Sequence, residues 1–172
     1  ISSSKNYILY TEENETDDLD NDEYTDFLLR EKKQILIVED NTDLRQLLVE
    51  CLSDWYEICE AKDGIEATSI LKTNEIDLII SDIMMPNKDG YELCVEVKDS
   101  IETSHIPFVM ITAKSGVDNQ LLGLSAGANV YIEKPVNIKL LKKSIQNIFI
   151  QQNRVKEYYA RHHFSDNPET KI

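Results

Sequence analysis

From Gln34 onward, short apolar runs alternate with stretches whose apolar residues return every three or four positions. Ile35, Leu36, Ile37 and Val38 form an unbroken apolar run, the pattern of a strand buried on both faces. Residues 43–52 follow with Leu44, Leu47, Leu48 and Cys51 at helical spacing, and Asn41 or Thr42 stands where a cap is needed. The alternation then repeats. Further strands are predicted at 56–60, within 76–81, at 107–111 and at 129–132. Further helices are predicted at 65–71, 90–98 and 117–125, and from Asn137 past Ile150. Five strands alternating with five helices predict a doubly wound α/β domain, a five-stranded parallel sheet with helices on both faces and right-handed crossovers. Sites in such sheets gather at the carboxyl ends of the strands.

The first 33 residues have a different texture. From Glu12 to Asp26 the charged residues are all Asp or Glu. Like charges at this density repel, and few apolar groups stand ready to offset the entropy of ordering. Residues 1–33 therefore read as a flexible acidic linker, 34–150 as the folded domain, and 151–172 as a helical extension and connector. The chain of 172 residues carries 32 acidic against 18 basic residues, a formal net charge of -14. That balance argues against direct nucleic-acid contact by this segment, because phosphates are gripped by clustered Lys and Arg. No stretch approaches the ~20 apolar residues of a membrane span, and no secretory leader is visible. A cytoplasmic segment without membrane contact of its own is expected. Cys51, Cys59 and Cys94 are odd in number and lack CxxC spacing, which predicts buried free thiols.

Polar residues follow the apolar strands at once. Glu39 and Asp40 follow the first, Asp82 the third, Thr112 the fourth, and Lys134, just before Pro135, the fifth. In a doubly wound sheet these scattered positions converge. Carboxylates held together repel one another, so a cation is favoured among them. Carboxylate oxygens suit Mg²⁺, which takes one or two of them and keeps several waters. A carboxylate is also a nucleophile towards a phosphoryl group, whose three charged oxygens call for a metal, an ammonium and hydrogen-bond donors. Lys134 offers the ammonium and Thr112 a hydroxyl. The constellation reads as a Mg²⁺-assisted phosphoryl acceptor.

The segments ILIVEDN (35–41), LIISDIMMPNKDGYEL (78–93), FVMITAKS (108–115) and ANVYIEKP (128–135) resemble the receiver domain of two-component signalling. The resemblance covers about residues 34–150. It implies a flavodoxin-like strand order of 2-1-3-4-5. It implies that Asp82 takes the phosphoryl group, that Thr112 and Lys134 contact it, and that Tyr131 is the switch aromatic. It implies a Mg²⁺ site of Asp40, Asp82 and the Met84 backbone carbonyl, with Glu39 acting through water. Glu39 stands where Asp is more usual. A cis bond between Lys134 and Pro135 is also implied. The expected phosphodonor is a histidine kinase domain, in cis or in trans, and the expected output surface is the fourth helix, fifth strand and fifth helix, which could pair two copies.

An Mg²⁺-dependent phosphohydrolase with an Asp nucleophile is the rival reading. It would want a second acid two residues after the nucleophile, where this chain has Met84. A receiver that is never phosphorylated is disfavoured by the full acidic set. Leu141, Ile145, Ile148, Val155 and Tyr159 extend an apolar stripe along the last helix. Residues 145–169 resemble connectors in hybrid proteins that join a sensor kinase, a receiver and an AraC-type helix-turn-helix. Such a parent would be anchored in the inner membrane and would control transcription.

Overall fold

The computed structural model describes residues 32–113 and 117–163. The acidic stretch of the expected linker, residues 114–116 and the tail beyond residue 163 lie outside them. Five strands and five helices alternate: β1 (Gln34–Val38), α1 (Thr42–Leu52), β2 (Glu57–Ala61), α2 (Gly64–Leu71), β3 (Leu78–Asp82), α3 (Gly90–Asp99), β4 (Phe108–Thr112), α4 (Val117–Ser125), β5 (Val130–Glu133) and α5 (Ile138–His163). The strands form one parallel sheet in the order β2-β1-β3-β4-β5. β1 therefore has β2 on one side and β3 on the other, which makes its carboxyl end the switch point.

The chain falls into two compact units divided after Ile138. In the first, strand residues alternate between the two faces of the sheet. Leu36 and Val38 of β1, Ile79 of β3, and Phe108 and Met110 of β4 join Ala67 of α2 and Leu93, Cys94 and Val97 of α3 in one buried cluster. Ile35 and Ile37 point the other way, where a right-handed crossover puts α1 with its buried Leu44, Leu48 and Leu52. Each such side chain, fully buried, contributes about 1.5–3 kcal/mol. In the second unit, α5 buries Leu141, Ile145 and Phe149, with Ile148 half-buried, whereas Val155, Tyr158 and Tyr159 are exposed. The expected stripe therefore changes character before Val155. Among the described residues no helix is long and apolar enough to cross a membrane.

Local chemistry sets where elements start. Asn41 caps α1 by accepting from Leu44 N. Asp89 forms a capping box with Glu92 at the head of α3. Asp77 accepts from Gln34 N at 2.8 Å, and Asn129 accepts from Phe108 N at 2.8 Å, each at the first residue of a strand. The last four strands end one residue later than predicted, and in β3, β4 and β5 the added residue is polar. Backbone pairing continues through the polar residue, as in Asp82 opposite Ile111 and Thr112 opposite Glu133. The three cysteines are free, but only Cys94 is buried. Cys59 is half-open because β2 is an edge strand, and Cys51 lies one residue from the end of α1.

Gly90 places α3 hard against the end of β3. A Cβ there would lie 2.2 Å from the backbone oxygen of Asp82 and 2.9 Å from Ile83 Cα. Gly→Ala inside a helix ordinarily adds up to ~1 kcal/mol of stability. Gly90→Ala is expected to reverse that sign and cost about 1–3 kcal/mol, because rigid backbone must move. Urea denaturation measures it, and an unchanged or raised midpoint would contradict the contact.

Candidate functional site

The carboxyl ends of β1, β3, β4 and β5 bring the predicted residues together. Glu39 and Asp40 leave β1, Asp82 ends β3, Thr112 ends β4, and Lys134 follows β5. Carboxylate oxygens of Glu39, Asp40 and Asp82 lie within 4.8 Å of one another. Glu39 is 1% exposed and Asp82 4%, whereas Asp40 is open to solvent. The Lys134 ammonium donates to Asp82 Oδ2 at 2.8 Å and to Glu39 Oε2 at 3.2 Å. Met84 N lies 3.3 Å from Asp82 Oδ1 as donor, and Asn41 N donates to Glu39 Oε1 at 3.0 Å. Thr112 is fully buried, and its backbone oxygen accepts from Lys134 N at 2.7 Å. The Lys134–Pro135 bond is cis.

The electrostatics follow from this packing. Burial, and next the charge of Asp82, push the Glu39 carboxyl up to about 7, against the opposing pull of Lys134 and the Asn41 amide. Burial by itself would lower Lys134. The hydrogen bond to Asp82 and the charges of Glu39 and Asp82 outweigh it and hold the ammonium above its ordinary range. Three carboxyl groups face one ammonium, so the cluster carries an excess of acid. Its donors are hard oxygens with one open side at Asp40. That set suits a hard divalent cation.

Tyr131 sits apart from the acids. It is half-buried on β5, packed against the core cluster, and hydrogen-bonded through its side chain to Tyr91 of α3. Its ring lies close to Gly123 of α4, where a Cβ would be 2.9 Å away. Met84 projects an exposed side chain from the loop after β3.

Several residues at the site were not legible beforehand. Arg45 Nη1 donates to the Glu39 backbone oxygen at 2.6 Å, while its Nε donates to Glu60 at 3.1 Å. It thereby fixes the backbone of the acidic pair. Asp63 caps α2 and also holds Asn87 in the loop after β3. The only sequence signal was the Asp-Gly start of that helix.

The family described as response regulator receiver domain matches residues 35–146. Histidine kinase P4 of Formosa agariphila is 41% identical over 143 residues, which are 83% of this chain and 10% of that protein. The curated relatives it matches are longer: the chain spans 10% of that kinase and 52% of a relative from Galdieria sulphuraria. Among solved structures, a CheY-like receiver domain protein of Methanospirillum hungatei superposes with a TM-score of 0.67 at 28% identity, covering 72% of this chain and 98% of that one. The phosphorylated cyanobacterial phytochrome response regulator RcpA does so with a TM-score of 0.61 at 29% identity, covering 69% and 91%.

A divalent cation is expected to raise the thermal midpoint, since binding only the folded state at a hundredfold excess over Kd contributes about 2.7 kcal/mol. Asp40→Ala is expected to weaken this effect more than Glu39→Ala. Glu39 already accepts from Asn41 N and Lys134, whereas Asp40 faces the open side. Scanning calorimetry with and without Mg²⁺ tests it, and an undiminished shift in Asp40→Ala would remove Asp40 as a direct ligand.

Proposed function

The chain belongs to the response regulator receiver domain family, and on that premise we propose that Asp82 takes a phosphoryl group from the phosphohistidine of a histidine kinase. One observation carries the assignment. Asp82 is a nearly buried carboxylate at the sheet's carboxyl end, 2.8 Å from an ammonium and inside an acidic cluster. Its oxygen attacks phosphorus as the N–P bond of the donor breaks. The imidazole leaves with the bonding electron pair and takes up a proton. Lys134 meets the charge on a phosphoryl oxygen, and the Thr112 hydroxyl donates to another. The Met84 N–H lies beside the acceptor carboxylate. Asp40, Asp82 and the Met84 carbonyl would hold Mg²⁺ directly and Glu39 would hold it through water; the cation would supply neutralisation of charge on the phosphoryl oxygens.

The output is a population shift. Drawing Thr112 towards the phosphoryl group vacates space behind it, and Tyr131 turns inward to fill it. That shift requires the phosphoryl group to favour one state by a few kcal/mol. The output elements that the family resemblance implies are α4, β5 and α5, through which two copies associate. Leu121, Leu122 and Leu124 of α4 are more than half exposed, which supports an interaction role for that helix. The similarity to a much longer histidine kinase supports a hybrid parent chain. An AraC-type output and control of transcription rest on the resemblance of residues 145–169 to connectors in such hybrids, and a cytoplasmic position on the free thiols, which suit a reducing compartment.

Acetyl phosphate with Mg²⁺ is expected to add one phosphoryl group, read by intact mass. Asp82→Asn is expected to take none, and labelling equal to the parent would reassign the acceptor. Beryllofluoride, as a phosphoryl mimic, is expected to strengthen self-association about tenfold, which needs only ~1.4 kcal/mol. Analytical ultracentrifugation reads this, and an unchanged monomer at high protein concentration would refute coupling to dimerisation while leaving Asp82 in place.

A further inference from the structure

Residues 83–89, between β3 and α3, lead directly out of Asp82 and carry Met84. This loop is bonded to the start of α2 at two successive positions. Asn87 Nδ2 donates to Asp63 Oδ2 at 2.8 Å, and Gly64 N donates to the Lys88 oxygen at 3.2 Å. The Lys88 ammonium reaches on to Thr68 Oγ1 at 3.1 Å and pairs with Glu96. Asn87 holds a φ of 69°, the left-handed region that Asn and Gly tolerate.

Asp63 is 5% exposed and divides its two oxygens between separate tasks. Oδ1 accepts from Ile65 N at 3.0 Å and Glu66 N at 2.9 Å, which is the helix cap. Oδ2 accepts from Asn87. The cap alone does not explain a carboxylate, because Asn, Ser or Thr would cap as well. An Asn at this position would present an amide donor, and Asn87 would have to turn its own amide over to meet it. A two-acceptor side chain caps α2 and also holds Asn87 in the orientation it has, amide donor towards the helix start.

We propose that Asp63 is a positioning residue for the phosphoryl-acceptor site. Through Asn87 it holds the 83–89 loop so that the Met84 backbone stays beside Asp82. The inference rests on the reading of Asp82 as acceptor and adds a residue two elements away to its support. It also explains why the loop keeps a left-handed Asn: that conformation aims the amide at Asp63.

The experiment uses the two faces of this hydrogen bond. Asp63→Ser keeps the cap and is too short to reach the Asn87 amide as well. Asn87→Gly tolerates the positive φ and removes the donor. In metal-free protein, both are expected to speed hydrogen exchange at the Met84, Met85 and Lys88 amides, with the α2 amides unchanged. Both are expected to slow uptake of phosphoryl from acetyl phosphate with Mg²⁺ about 10-fold, the usual scale for a supporting hydrogen bond behind a ligand. The double exchange Asp63→Asn with Asn87→Asp reverses donor and acceptor and is expected to restore both readouts. Wild-type loop exchange and uptake in the two single variants, or no rescue by the double exchange, would overturn the proposal. If the parent protein itself takes up no phosphoryl group, the acceptor reading fails, and the exchange measurements alone then judge the tether.

Discussion

The Lys134 ammonium between Asp82 and Glu39 is the interaction on which the site depends. Two carboxyl groups almost without solvent cannot both be charged side by side unless a cation answers them. Lys134 reaches both, at 2.8 and 3.2 Å. It does not complete the balance, because Asp40 adds a third carboxylate at the open edge. Burial, and next the charge of Asp82, push the Glu39 carboxyl up, and the residual acid excess leaves a place that a divalent cation or a phosphoryl–cation pair can satisfy. A buried ion pair of this kind adds little net stability. Its worth lies in presenting a nearly buried carboxylate with positive charge already in position.

The sheet makes the cluster possible. Lys134 and Glu39 are 95 residues apart in sequence, and the parallel sheet brings their strand ends to one side. Parallel pairing aligns those ends because every strand runs the same way. The supports are backbone contacts as much as side chains. Gly90 lets α3 close on the Asp82 carbonyl, Arg45 holds the Glu39 carbonyl, and the Lys134 amide is bonded to Thr112. The same strands link site to surface, since Thr112 and Tyr131 belong to adjacent strands and Tyr131 lies against Gly123 of α4.

The division between what was readable in one dimension and what was not follows physical range. Alternation of apolar runs with helical spacing determined the α/β class, all ten elements and the candidate residues Glu39, Asp40, Asp82, Thr112 and Lys134. Those signals are local: burial of a strand is written in its own residues, and a polar residue after it marks its end. Strand ends were misplaced by one residue where pairing with a neighbour outlasted apolar character, as at Asp82 and Thr112. Tertiary structure alone decided which oxygen of Asp82 meets Lys134, that Cys59 is half-open on an edge strand, and that Tyr131 is bonded to Tyr91. It alone gave Asp63 and Arg45 their second roles. Asp63 is a plain helix cap in sequence, and its other oxygen finds Asn87 only after 24 residues of chain have folded back. Local pattern encodes which residues are shielded, whereas pairing between distant polar groups depends on crossovers that no local pattern records.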